Sequence, residues 1–120
     1  MSTIDRIYGF VAVEKDLVVY NGQALIDLSF KFRYDDAPTY TAYDFPGYLS
    51  AYMNVYDSAE RVYSVKTFAA QITRNSNNLV VNASASDMTF SDQGKYYFEL
   101  GFIRSGGYYI PLRYGTLYVV

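Results

Sequence analysis

Alternation of apolar and polar residues is the strongest signal along this chain. Counting by twos from Tyr96 puts Phe98, Leu100 and Phe102 on one side and Tyr97, Glu99 and Gly101 on the other. That is the period of a strand with one buried face. Residues 24–33 repeat the pattern: Ile26, Leu28, Phe30 and Phe32 face one way, Asp27, Ser29, Lys31 and Arg33 the other. Such a strand belongs in an antiparallel sheet with one wet face. Residues 48–57 alternate as well, with Leu49, Ala51, Met53 and Val55 expected inside and Tyr48, Ser50, Tyr52, Asn54 and Tyr56 outside.

The remaining elements are shorter. Residues 4–14 are apolar without clean alternation and predict a first strand, interrupted by a bulge or sheet switch at Gly9. Residues 17–20 continue it into Asn21-Gly22, a tight-turn pair that tolerates positive φ. A long turn-rich connection spans 34–47, with Pro38, Pro46 and Gly47. Further strands are expected over 61–68, 69–74 and 79–83, the last with Leu79 and Val81 inside. The polar stretch 84–93 predicts one helical turn around Asp87 to Phe90. Arg104-Ser105-Gly106-Gly107 reads as a hairpin loop into a last strand over 108–120. There, Gly115 marks an expected bulge and Pro111 an edge position. Seven to nine short strands with frequent turns predict an all-β antiparallel β-sandwich.

Composition narrows the options. A chain of 120 residues has the length of a single domain, expected over 1–120. Tyr is the outlier at 15 residues, with 8 Phe and no Trp, and aromatic enrichment favours strands. With no Cys, there is no disulfide framework, thiolate metal site or cysteine nucleophile. With no His, the commonest general base and transition-metal ligand are missing. The net charge of −2 and the scattered Lys and Arg argue against nucleic-acid binding. No basic-then-apolar leader opens the chain and no apolar run reaches membrane-span length. Synthesis in a cytoplasm and no membrane partner are the expectations.

Asp92-Gln93-Gly94-Lys95-Tyr96 resembles the tyrosine corner of immunoglobulin-like sandwiches, where a Tyr at the start of a strand bonds the backbone just upstream. Other short motifs keep a matching order: Val-Tyr-Asn-Gly-Gln (19–23), Leu-Ile-Asp-Leu-Ser-Phe (25–30), Phe-Pro-Gly-Tyr (45–48), Met-Asn-Val-Tyr-Asp (53–57), Gly-Lys-Tyr-Tyr-Phe-Glu-Leu (94–100) and Tyr-Gly-Thr-Leu-Tyr-Val (114–119). Together they make 13–120 similar to the immunoglobulin-like domains of tailed-bacteriophage virion proteins, notably the N-terminal domain of upper baseplate proteins. The resemblance implies a structural virion component made in the host cytoplasm, docking other virion proteins and copies of itself. Because the baseplate proteins continue into further domains while this chain stops, a stand-alone decoration, collar, adaptor or tail role is expected.

Candidate functional residues fall into three groups. Tyr48, Tyr52, Tyr56 and Tyr97, joined by Tyr109, are expected on one outer sheet surface as a protein-docking face, since Tyr offers both apolar area and a hydroxyl. Its bland counterpart is cross-strand aromatic pairing that only stabilises the sheet. Tyr34, Tyr40, Tyr43, Phe45 and Tyr108 are loop aromatics for a glycan or a partner, the basis of an alternative carbohydrate-binding reading. Asp92, Gly94 and Tyr96 form the structural corner. Asp35, Asp36 and Asp44 match no calcium-loop spacing, so no metal and no cofactor are expected. No nucleophile has a visible base and no carboxylate pair has recognisable spacing. The chain is therefore expected not to be an enzyme.

Overall fold

Strands form where the alternation is, and two bulges decide which residues they bury. The computed structural model describes residues 13–34 and 41–120; Gly9 of the expected first strand lies outside them. Among the described residues the regular elements are all strands: β1 (Val13–Glu14), β2 (Leu17–Val19), β3 (Leu25–Lys31), β4 (Tyr48–Tyr56), β5 (Ser64–Phe68), β6 (Ile72–Asn75), β7 (Asn78–Ala83), β8 (Gly94–Arg104) and β9 (Tyr108–Val119). The chain is all-β, with two sheets in a sandwich-like arrangement. One sheet runs β1-β9-β8-β4-β5, with β2 also on β9; the other runs β3-β7-β6. β1 and β2 lie parallel to β9. The other pairings are antiparallel.

The core is the seam between the sheets. β8 supplies Tyr96, Phe98, Leu100 and Phe102, and β4 supplies Ala51, Met53 and Val55. From the other layer come Phe30, Phe32, Leu79 and Val81. Full burial of such a side chain stabilises by roughly 1.5–3 kcal/mol.

Ile26 departs from the simple alternation: it is 80% exposed. Asp27 has φ 53, and the β3–β7 register slips between Leu25 and Leu28. The bulge turns Ile26 outward and brings Leu25 onto the core. A second slip, between Tyr48 and Ser50 in the β4–β8 pairing, reverses the start of β4. Leu49 points to solvent and Tyr48 packs inward, its ring stacked on Phe102 at 6.0 Å.

The crossing from β7 to β8 holds a single turn over residues 85–88, earlier than the helical turn expected around Asp87 to Phe90. Ser84 and Asp87 exchange bonds, Asp87 N–H to Ser84 Oγ at 3.0 Å and Ser84 N–H to Asp87 Oδ2 at 3.1 Å. The Ser84 backbone amide first, with the Ser84 and Gln71 side chains and the Lys66 charge adding, holds the Asp87 carboxyl below its usual range. Met88 N–H still reaches Ser84 O. The Phe90 amide instead donates to Asn21 Oδ1 at 2.7 Å, and Asn21 Nδ2 donates back to Phe90 O at 3.1 Å. The Asn21 turn thus closes one end of the core over Met88 and Phe90, both buried.

Gly115 is not a bulge. A Cβ there would strike the Lys15 carbonyl, because the link between β1 and β2 crosses at that point. Lys15 N–H donates to Tyr114 O at 2.8 Å, and Asp16 Oδ1 accepts from Thr116 N–H at 3.1 Å. The slip in β9 instead lies opposite Leu100 and Gly101. Pro111 pairs with Gly101 of β8 at the slip in β9 and precedes the residues that β1 pairs.

Candidate docking face

The outer side of β9, β8 and β4 carries the expected tyrosine cluster in altered form. Tyr56 lies directly opposite Tyr97, and Tyr52 lies opposite Gly101. Tyr109, opposite Ile103 on β9, puts its ring 5.0 Å from that of Tyr52 at an interplanar angle of 62°. The Tyr52 hydroxyl donates to Glu99 Oε2 at 2.7 Å. Burial first, and the Glu99 carboxylate second, push this phenol far above its ordinary pKa.

Exposure on this face is graded. Tyr52 is 3% exposed and Tyr56 8%, whereas Tyr109 is 60% exposed. Tyr97 is half-buried. The centre of the cluster is therefore packed against its own neighbours, and the accessible rim lies toward the β8–β9 hairpin. Tyr48 does not belong to the face, because the slip at Ser50 turns it onto the core. Burial raises its pKa, while nearby Arg74 pulls the other way.

Two residues that the sequence pattern misses complete the face. Tyr114 has the parity of Tyr108, not of Tyr109, so simple alternation assigns it to the other side. The slip in β9 corrects that parity and pairs Tyr114 with Glu99. Arg61, in the loop between β4 and β5, holds its guanidinium 5.6 Å from the Tyr97 ring centre and 5.5 Å from that of Tyr114. Loop residues carry no period, so nothing in the sequence signals this placement.

The loop aromatics separate into different roles. Tyr43 and Phe45 are each 1% exposed, which corrects their reading as ligand-facing residues. Tyr43 N–H donates to Phe32 O, and Arg33 bridges Ala42. These bonds fold the segment back, so that Tyr43 and Phe45 meet Phe102 at 6.1 and 5.4 Å. Tyr34 is half-buried, with its hydroxyl donating to the Asp44 carboxylate and its ring edge-on to Tyr43. Tyr108 is 61% exposed, with the Arg104 guanidinium 5.9 Å above its ring. Tyr40, Asp35 and Asp36 lie outside the described residues.

At the corner, the Tyr96 hydroxyl donates to Asp92 O at 2.8 Å, and Gly94 opens β8. Next to it is a cleft of about 330 Å³, walled by Asp57, Lys66, Phe90, Asp92 and Tyr96 among others. The Lys66 ammonium sits 5.0 Å from the centre of the Phe90 ring. Among the described residues there is no group of three or more Asp and Glu placed to hold a metal ion. No helix among them is long and apolar enough to cross a membrane. No protein-family model matches the chain, and no curated protein matches it either.

Proposed function

We propose that this chain is an immunoglobulin-like structural module of a bacteriophage particle, acting by docking onto other virion proteins through the outer face of β9, β8 and β4. One observation carries the docking role. An outward sheet surface is ordinarily polar, yet this one is built of Tyr52, Tyr56, Tyr97, Tyr109 and Tyr114, with accessible aromatic area at its rim. Tyr is enriched in buried interface cores because a single ring supplies area, rigidity and a hydrogen-bonding tip.

The immunoglobulin-like reading draws support from strand order. β9-β8-β4 on one side and β3-β7-β6 on the other follow the grouping of the last, penultimate and third strands against the second, fifth and fourth. The Tyr96–Asp92 bond fits the same reading. The virion assignment rests on the motif resemblance described above. Mass spectrometry of purified particles should find the chain in fixed stoichiometry. Tyr109→Ser should fold normally and lose incorporation; incorporation at the wild-type level would overturn docking through this face.

A carbohydrate-binding role is the second reading. The cleft beside the corner favours it, because the carboxylates of Asp57 and Asp92 and the hydroxyls of Thr89, Ser91 and Tyr96 among its walls are groups suited to a polyol. Tyr108 and Tyr109 do not strengthen it. As neighbours on one strand they face opposite ways and form no single stacking platform. Glycan-array binding by the chain, abolished by Asp92→Asn, would favour this reading over docking.

A further inference from the structure

We propose that the loop between β4 and β5, residues 57–63, is a self-association contact, in which Arg61 of each of two copies takes the Glu60 carboxylate of the other. The contact adjoins the outer sheet face and goes beyond its docking role: Tyr97 and Tyr114 of that face position Arg61.

Arg61 is held at some cost. Its φ is 54, a left-handed backbone conformation disfavoured for a long side chain and characteristic of functional segments. Its guanidinium lies over two tyrosine rings at 5.5 and 5.6 Å. Its hydrogen bonding is poor by comparison. Nη1 donates to Ala59 O at a long 3.5 Å, and Nε is buried with no acceptor. No carboxylate among the described residues pairs with it. A guanidinium offers five donors, and a partly desolvated cation without a counter-charge is unfavourable. The local structure therefore orients a cation and leaves its carboxylate to be supplied from outside.

The same loop carries what a second copy would need. Glu60 adjoins Arg61 and is fully exposed. Its own backbone amide first, and Ser58 second, hold its carboxyl below the usual range, so it is charged at neutral pH. Val62 and Tyr63 follow, 64% and 83% exposed. A two-fold contact uses one patch twice, so that patch must complement itself. Cation, anion and apolar area stand here within four consecutive residues. The strand that follows, β5, is the end of its sheet among the described residues, and its Val65 is 47% exposed.

Sedimentation velocity on the full chain tests the contact. Its mass should rise with concentration from monomer to dimer, and added salt should reverse the rise. Arg61→Gln should weaken dimerisation by about tenfold or more. Arg61→Glu and Glu60→Lys should each be monomeric alone, through like-charge contact, and should dimerise when mixed because each restores the other's pair. Glu60→Lys changes a fully exposed side chain, so the test does not hinge on whether Arg61 variants fold. A wild-type chain monomeric at every concentration, or a mixture that fails to dimerise, would overturn the inference. Loss of incorporation by Tyr109→Ser with no dimer would remove self-association alone. Normal incorporation alongside a salt-sensitive dimer would remove docking to other proteins and leave the self-contact.

Discussion

Several single side chains bond groups far away in sequence, and their worth depends on what they leave behind when removed. Asn21 clasps both backbone groups of Phe90, and Asn77 Nδ2 donates to Phe32 O at 2.6 Å from a site 8% exposed. Replacing Asn77 by Ala removes this donor while Tyr43 N–H still reaches the same carbonyl, and should cost about 1 kcal/mol by chemical denaturation. Tyr96→Phe removes the bond to Asp92 O and keeps the ring. It should cost about 1 kcal/mol, read as a lower melting temperature with docking unchanged. Tyr52 makes a pH prediction. Burial and Glu99 raise its phenol pKa in the folded state, while in the unfolded chain it ionises near 10. The contribution of this group to stability is therefore fully present below about pH 10 and falls by up to about 1.4 kcal/mol per pH unit as the pH rises above it. In Tyr52→Phe the alkaline slope of stability should be shallower by up to one proton, measured by urea unfolding across pH 9–11.

Strands turn on their irregular points. Two slips, at Asp27 and near Leu49, exchange the inward and outward residues of the strand ends they interrupt, since a shift of one residue moves a side chain to the opposite face. The slip in β9 does the reverse service for the docking face, bringing Tyr114 round beside Tyr97. Gly115 lets the β1–β2 link cross β9 with its backbone in contact, and Gly101 meets the Ile110 carbonyl in the same way. In both cases the neighbour is backbone and cannot rotate aside. Gly115→Ala should therefore lose more than about 2 kcal/mol, within the range of overpacking. It should also loosen β1 and β2, seen as faster amide exchange at Lys15 and Thr116. An unchanged exchange pattern would show that the crossing tolerates a methyl group.

Across the whole molecule the aromatic residues divide into two populations. One fills the seam: Phe32, Tyr43, Phe45, Phe98 and Phe102 are all nearly inaccessible. The other lies on the outside of the larger sheet, graded from buried Tyr52 to open Tyr109. Phe45→Ala should cost about 3–5 kcal/mol, and Tyr109→Ser within about 1 kcal/mol, a contrast that thermal melts of the two variants will show. Much of this division could be read from the chain. A strand's period assigns faces wherever the pairing is regular, so the interior of β8 and β7 and the outward Tyr52, Tyr56 and Tyr97 follow from counting by twos. The corner was legible too, because its donor and acceptor lie only four residues apart. Ile26, Leu49, Tyr48 and Tyr114 were not, since a bulge shifts parity without changing composition. Nor were Tyr43, Phe45 and Arg61, whose segments have no period. Local order came from the sequence because strand geometry acts between neighbours two apart. Which loop residues are swallowed by the core, and which cation meets which ring, depend on residues distant in the chain, and only the packing of the two sheets brings those together.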